Sequence, residues 1–290
     1  MIPELKRELV SKIERENILS LLKIGKRLDG RTLLEQRPLK IVPNLIEKAD
    51  GSAYVELGKT KVLVGVKVSL AKPFPDLPDK GVFVVNAEFN PIASPFFELG
   101  PPSDYAVEIA RIVDRAIRSS EMIDLEELAI IPGKLVWMLN IDIYAIDDDG
   151  NLIDAAMYGA VSAILSGTLP KVEIINEEKE EIEVIKEERI PIPTRDFPVS
   201  FTFAKIEDYL ILDPTHMEEN LMSGRLTIAI NSKNNICTIQ KGEGGGFKLE
   251  DVLRARDIAI QKADELRNKI ANQIALGSRG EESWQKILEG

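Results

Sequence analysis

The order of patterned segments constrains this chain most. Twice, a series of short period-two runs ends in a long run with helical spacing. In the first series, AYVELG and KVLVGVKVSL, within residues 53–70, alternate across Gly58-Lys59-Thr60, which predicts a β-hairpin. A Pro-rich loop at 71–80 separates it from the strand-like GVFVVNAEFNPIA. Residues 103–120 predict a helix, with Ser103 as N-cap and Asp104 in the first turn. Its expected buried side is Val107, Ile109, Ala110, Val113 and Ile117. KLVWMLNIDIYAI (134–146) reads as a strand and Asp147 to Asn151 as a solvated turn or a metal loop. The twelve-residue calcium pattern does not follow that turn. Asp154 is the expected cap of the next helix, AAMYGAVSAILSG, whose small residues suit close packing.

The second series is VSFTFAKI, DYLIL, LTIAIN and NICTIQK, then a helix from Leu249 to about Leu276. The repeated rhythm predicts an α+β fold. Two related halves of mixed β-sheet with packed helices would share one sheet system. The expected segments are an N-terminal helical region (1–26), a first half (27–190), a second half (191–276) and a tail (277–290). PIPTRDFP at 191–198 marks the internal boundary, and 171–188 is an acidic, exposed hairpin. Residues 4–24 predict an amphipathic helix with a stripe of Leu5, Leu9, Ile13, Ile18, Leu21, Leu22 and Ile24, ended by Gly25. Residues 27–41 read as a polar loop in which Arg27 and Arg31 serve salt bridges or a ligand.

Composition narrows the function classes. The net charge is −11, so any contact with a polyanion needs a local cationic patch or a partner's help. Cys237 is the only cysteine, which excludes a disulfide framework; it lies in an alternating run as an expected buried strand thiol. No apolar run reaches the ~18–20 residues of a membrane span, and the charged N-terminus is no signal peptide. A soluble, cytoplasmic protein without a membrane partner is expected.

Three segments can carry chemistry. DPTHMEENLMSGR (213–225) gathers Asp213, Glu218 and Glu219 with the only histidine, His216, the texture of acid/base or metal work, yet it closes on the permanent cation Arg225. Arg111, Arg115 and Arg118 line one face of the 103–120 helix. They form a phosphate-tracking ladder, or a solvated face paired as Glu108 with Arg111 and Asp114 with Arg118. GEGGGF, with the Gly242–Gly246 cluster, precedes a helix but lacks the residues of a P-loop or dinucleotide turn, so it reads as a tight connection.

Together, four segments in order resemble the RNase PH family of phosphorolytic exoribonucleases: RLDGRTLLEQRPL, SDYAVEIARIVDRAIR, DDDGNLIDAAMYGAVSAI, and ILDPTHMEEN through GRLTIAIN to ICTIQKGEGGGF. The match spans about residues 27–265. DPT-x₂-EE, the glycine cluster and the long leading helix most resemble the family's non-catalytic subunits in the archaeal exosome. The resemblance implies an RNase PH-like fold, and a reaction in which phosphate cleaves the 3′-terminal phosphodiester of RNA. That reaction needs donors for two anions and a carboxylate pair for a metal ion or a proton.

The chain departs from the family pattern at three places. In D-x₄-ED-x₅-D, the first acid of the pair falls on Glu219 and the second on Arg225. In DGGTR-x-A, the Thr and Arg positions fall on Leu152 and Ile153. The helix arginine before the Glu-Ile dipeptide falls on Tyr105. The resemblance therefore implies a subunit with no catalysis, metal or cofactor of its own. Its partners would be a catalytic RNase PH-like paralogue in a heterohexameric ring of three heterodimers, RNA-binding cap proteins, and single-stranded RNA met by Arg111, Arg115 and Arg118. Two alternatives stand beside this: an enzyme active in its own right through Asp213, Glu218 or Glu219, and a ring scaffold that touches no RNA.

Overall fold

The structure, a computed structural model, describes residues 10–277. In chain order its elements begin with α1 (Lys12–Lys23), β1 (Leu39–Pro43), β2 (Gly51–Leu57), β3 (Thr60–Ala71) and β4 (Val82–Phe89). Next come α2 (Asp104–Ser119), β5 (Ala129–Ile131), β6 (Leu135–Asp147), α3 (Leu152–Leu165), β7 (Thr168–Asn176) and β8 (Glu181–Pro191). The last are β9 (Val199–Ile206), β10 (Tyr209–Leu212), α4 (His216–Leu221), β11 (Gly224–Ile230), β12 (Ile236–Gly242) and α5 (Leu249–Gly277).

Two main sheets, with the β7–β8 hairpin as a separate third, replace the single expected sheet system. The first has the order β1-β2-β3-β6-β4, with β5 on the start of β6. It is mixed, because β4 runs parallel to β6 while the other pairs are antiparallel. The second, β10-β9-β11-β12, is antiparallel throughout. The β2–β3 hairpin closes with Leu57 opposite Thr60, and Gly58 takes the left-handed conformation this tight turn requires, at φ 61°.

Helices fill the space between the sheets. α3 packs on β2, β3 and β9, and its residues from Leu152 to Ile164 are all buried. Its small residues have the expected role: a Cβ on Gly159 would lie 2.6 Å from Val64 Cγ2. α5 lays Ala255, Ala259, Ala263, Leu266 and Ile270 on β1, β9 and β11, a stripe at the i, i+3/i+4 spacing of a core-facing helix. α2 packs on β4, α3 and β12.

Several local expectations change. The 27–41 segment is no loop throughout, since β1 begins at Leu39; its outer edge is closed by Gln273 of α5, which accepts from Ile41 N–H and donates to the Leu39 carbonyl. Val107 is 45% exposed, and Ala106, Ile112 and Ala116 join the buried side of α2 instead. The cap of α3 is Asn151, left-handed at φ 55°, and Asp154 lies inside the first turn. In α1, Ile18 and Leu22 pack on Ala204, Ile206, Ile211 and Met222, while Ile13 and Ile24 face solvent. Leu5 and Leu9 lie outside the described residues. The β7–β8 hairpin is exposed as expected. Among the described residues no helix is long and apolar enough to cross a membrane.

Candidate functional site

The 213–225 segment is clamped by the arginines of 27–37. Asp213 sits at φ 54° directly after β10, and its carboxylate is fully buried. Arg37 donates to it through its backbone N–H (2.8 Å), Nε (3.0 Å) and Nη2 (2.7 Å). Arg31 Nη1 (3.1 Å) and Asn151 Nδ2 (2.7 Å) complete the set. Burial pushes this carboxyl up, but the Arg37 hydrogen bonds and charge, with Asn151, together hold it below the usual range. Glu218 accepts from Arg27 Nε at 2.7 Å and caps α4 by accepting from Thr215 N–H at 2.8 Å. Arg27 also donates to the carbonyls of Leu212 and Asp213. Thus Asp213 and Glu218 are spent on buried ion pairs, and Arg27 and Arg31 serve salt bridges.

The acidic turn at 147–151 is packed against this clamp rather than solvated. Arg37 donates to the carbonyls of Asp149 and Gly150, and His216 N–H donates to the Asp149 carbonyl at 2.9 Å. A Cβ on Gly150 would lie 2.5 Å from the Thr215–His216 backbone, so only glycine fits. Burial raises the Asp148 carboxyl. Among the described residues no group of three or more His, Cys, Asp or Glu is arranged to hold a metal ion.

Glu219 and Arg225 line a small cleft of ≈ 50 Å³ with Tyr105, Asp148, His216 and Phe97. Glu219 accepts from Asn151 N–H at 2.8 Å. Burial, then the Asp148 charge, push it up to about 7. Arg225 is 2% exposed; its Nη2 donates to Glu108 at 2.7 Å, while its Nε has no partner among the described residues. Its guanidinium carbon lies 5.4 Å from the Tyr105 ring centroid. Burial works against its charge, but Tyr105 and Glu108 more than offset this, so it stays a cation. Tyr105 packs edge-on to Phe89, which stacks on Phe97. Leu152 and Ile153 point into the core at 1% and 0% exposure. The three places expected to differ from the family, four residues in all, thus hold a buried cation, an aromatic ring and two core aliphatic side chains.

The arginines of α2 differ from one another. Arg118 is held by Asp114 (2.7 Å) and lies 4.1 Å from the Phe83 ring centroid. Arg115 is exposed and donates to Gln240 at 2.7 Å. Arg111 is exposed, and its guanidinium has no partner among the described residues. The expected Glu108–Arg111 pair does not form, because Glu108 is engaged by Arg225 from 117 residues away. No helical spacing could have disclosed that contact.

The other candidates are structural. Cys237 is partly buried, and burial pushes its thiol up to about 11, far from a reactive thiolate. The glycine cluster permits close approach: a Cβ on Gly245 would lie 2.2 Å from the Ser223 carbonyl, and one on Gly242 2.7 Å from Arg225 Nη2. Sequence reasoning missed Arg37, Asn151 and Gln240. The Arg37-Pro38 pair was visible within the opening motif, whereas Gln240 gave no local signal.

The 3′ exoribonuclease family matches this chain with its domain 1 over residues 35–170 and its domain 2 over residues 196–262. The exosome complex component Rrp42 of Thermococcus kodakarensis is 49% identical over 267 residues, 92% of this chain and 97% of that protein. That of Pyrococcus furiosus is 48% identical over 275 residues, 95% of this chain and 99% of that protein. A chain of the Archaeoglobus fulgidus exosome with RNA bound to the active site superimposes with a TM-score of 0.80 at 41% identity, covering 89% of this chain and 97% of that one. A chain of an archaeal exosome core gives 0.78 at 38% identity, covering 89% and 96%. Sequence and fold agree over nearly the whole length of these relatives: the chain belongs to the RNase PH family of 3′ exoribonucleases.

Proposed function

We infer that this chain is a non-catalytic subunit of an exosome ring. It helps shape the active site of a catalytic RNase PH-like paralogue and contacts RNA through α2. The observation that carries this reading is Arg225, buried and paired with Glu108 at the position where the family pattern asks for the second acid. An arginine cannot bind a metal ion or deliver a proton at neutral pH. Leu152 and Ile153, buried in the core, offer no donor to phosphate. The exosome names of the relatives support membership of the exosome and the presence of RNA. We extend this to a heterohexamer of three pairs with the paralogue, RNA-binding cap proteins and single-stranded RNA, in the cytoplasm. Within α2 the RNA contacts fall to Arg111 and Arg115, since Arg118 is occupied by Asp114 and Phe83.

Co-expression with the catalytic paralogue tests the assembly. A ring with the two chains in equal number, more active in phosphorolysis than the paralogue alone, is the expected result. A paralogue fully active by itself, or no joint assembly, would refute the shared-site claim.

A further inference from the structure

A chain of hydrogen bonds runs from the cleft to the surface of α2. Arg225 Nη2 donates to Glu108 Oε2 at 2.7 Å, and Gln240 Nε2 donates to Glu108 Oε1 at 3.3 Å. Gln240 Oε1 accepts from Arg115 Nη2 at 2.7 Å, and Arg115 Nε donates to the Arg111 carbonyl at 3.3 Å. The sheet sets this geometry. Arg225 on β11 stands opposite Gly242 on β12, and the missing side chain of Gly242 leaves room for the guanidinium. Gln240, two residues earlier, lies on the same face of β12, toward which α2 packs.

The consequence falls on Arg111. Glu108 and Arg111 are three apart on α2, a spacing at which opposite charges pair on an isolated helix. Here both Glu108 oxygens are engaged elsewhere, and among the described residues no carboxylate pairs with Arg111. An acid at position 225 would repel Glu108 and return it to Arg111, cancelling that cation.

We propose that Arg225 is a positioning residue for RNA: it draws Glu108 into the cleft, which frees Arg111, and through Gln240 it fixes Arg115. The substitution that removes the acid thereby also builds the cationic face. This rests on the reading that α2 contacts RNA.

Arg225→Met in the ring assembled with the paralogue should weaken binding of a short oligo(A) about threefold to fivefold, the scale of one surface charge contact. Adding Glu108→Gln should recover most of that loss, because the released carboxylate no longer neutralises Arg111. A loss that Glu108→Gln does not recover would overturn the freeing of Arg111. Gln240→Ala, partly exposed at the surface, tests the second half even where Arg225→Met fails to fold. In the full chain, ¹⁵N relaxation of the Arg115 Nε–H group should show a more mobile guanidinium in Gln240→Ala; unchanged order would overturn the relay. Arg115→Ala and Arg115→Ala/Gln240→Ala should bind oligo(A) equally, and a further loss in the double variant would also overturn it. If Arg111→Ala and Arg115→Ala both leave oligo(A) binding unchanged, RNA contact by α2 fails, and this use of the relay with it. The relaxation result still decides whether Gln240 holds Arg115.

Discussion

Asp213 shows how a carboxylate can be conspicuous in sequence and still be unavailable. It is fully buried and shared by Arg31, Arg37 and Asn151. Asp213→Ala would leave Arg37 with only the more distant Asp149 (3.7 Å) and Arg31 with Asp29, a loss of roughly 3–5 kcal/mol on the scale of broken buried ion pairs. Urea denaturation at neutral pH measures it. Because the folded Asp213 carboxyl lies below its unfolded value of 3.8, its contribution is complete above that pH and lost as pH falls through the folded value. Glu219 carries the opposite sign. Its carboxyl is pushed up to about 7 from 4.5, so the folded state binds the extra proton between these values and stability falls as pH rises through that window. Glu219→Gln, whose amide oxygen can still accept from Asn151 N–H, should raise stability at pH 8 by up to about 3 kcal/mol and change little at pH 4. Melting at the two pH values checks it, and equal effects would contradict the assignment. At this scale the sequence was informative about absence. Arg225 in place of an acid was visible only against the family pattern that the segment resembles, while its partner Glu108 lay across the fold and out of reach.

Among elements, α2 carries the functional claim. Arg111→Glu with Arg115→Glu should weaken RNA binding by the assembled ring and lower the slope of log affinity against log salt by about 1.4, two phosphates at ~0.7 each on a single strand. Filter binding across a salt series measures this, and an unchanged slope would favour a scaffold without RNA contact. The turn from β12 into α5 makes a separate prediction. Gly245→Ala drives a Cβ against the Ser223 carbonyl, 2.2 Å away, and should destabilise by about 1–3 kcal/mol in urea denaturation. Long helices and alternating strands were legible because their periods are local. β1 was not, being five residues bounded by Pro38 and ending on Pro43. α4 was hidden by its own chemistry: Thr215 and Glu218 are a capping box, but the acids around them drew attention as a catalytic cluster.

For the molecule as a whole, the repeated order of elements disclosed the α+β class, though not the division into two main sheets and a separate β7–β8 hairpin. That division depends on the parallel pairing of β4 with β6 and on α3 and α5 lying between the sheets, contacts that join residues far apart in the chain. The opening arginines, the acidic turn and the 213–219 segment form one buried network across both sheets. In a catalytic relative's pattern these segments would bring acids and phosphate donors together; here they carry ion pairs and core side chains. On the proposed reading, this chain does not catalyse phosphorolysis by itself. The direct measurement is nucleoside diphosphate released from poly(A) by the purified chain alone, with inorganic phosphate and magnesium. No release above a protein-free control is expected, and sustained phosphate-dependent turnover by the isolated chain would overturn the non-catalytic reading.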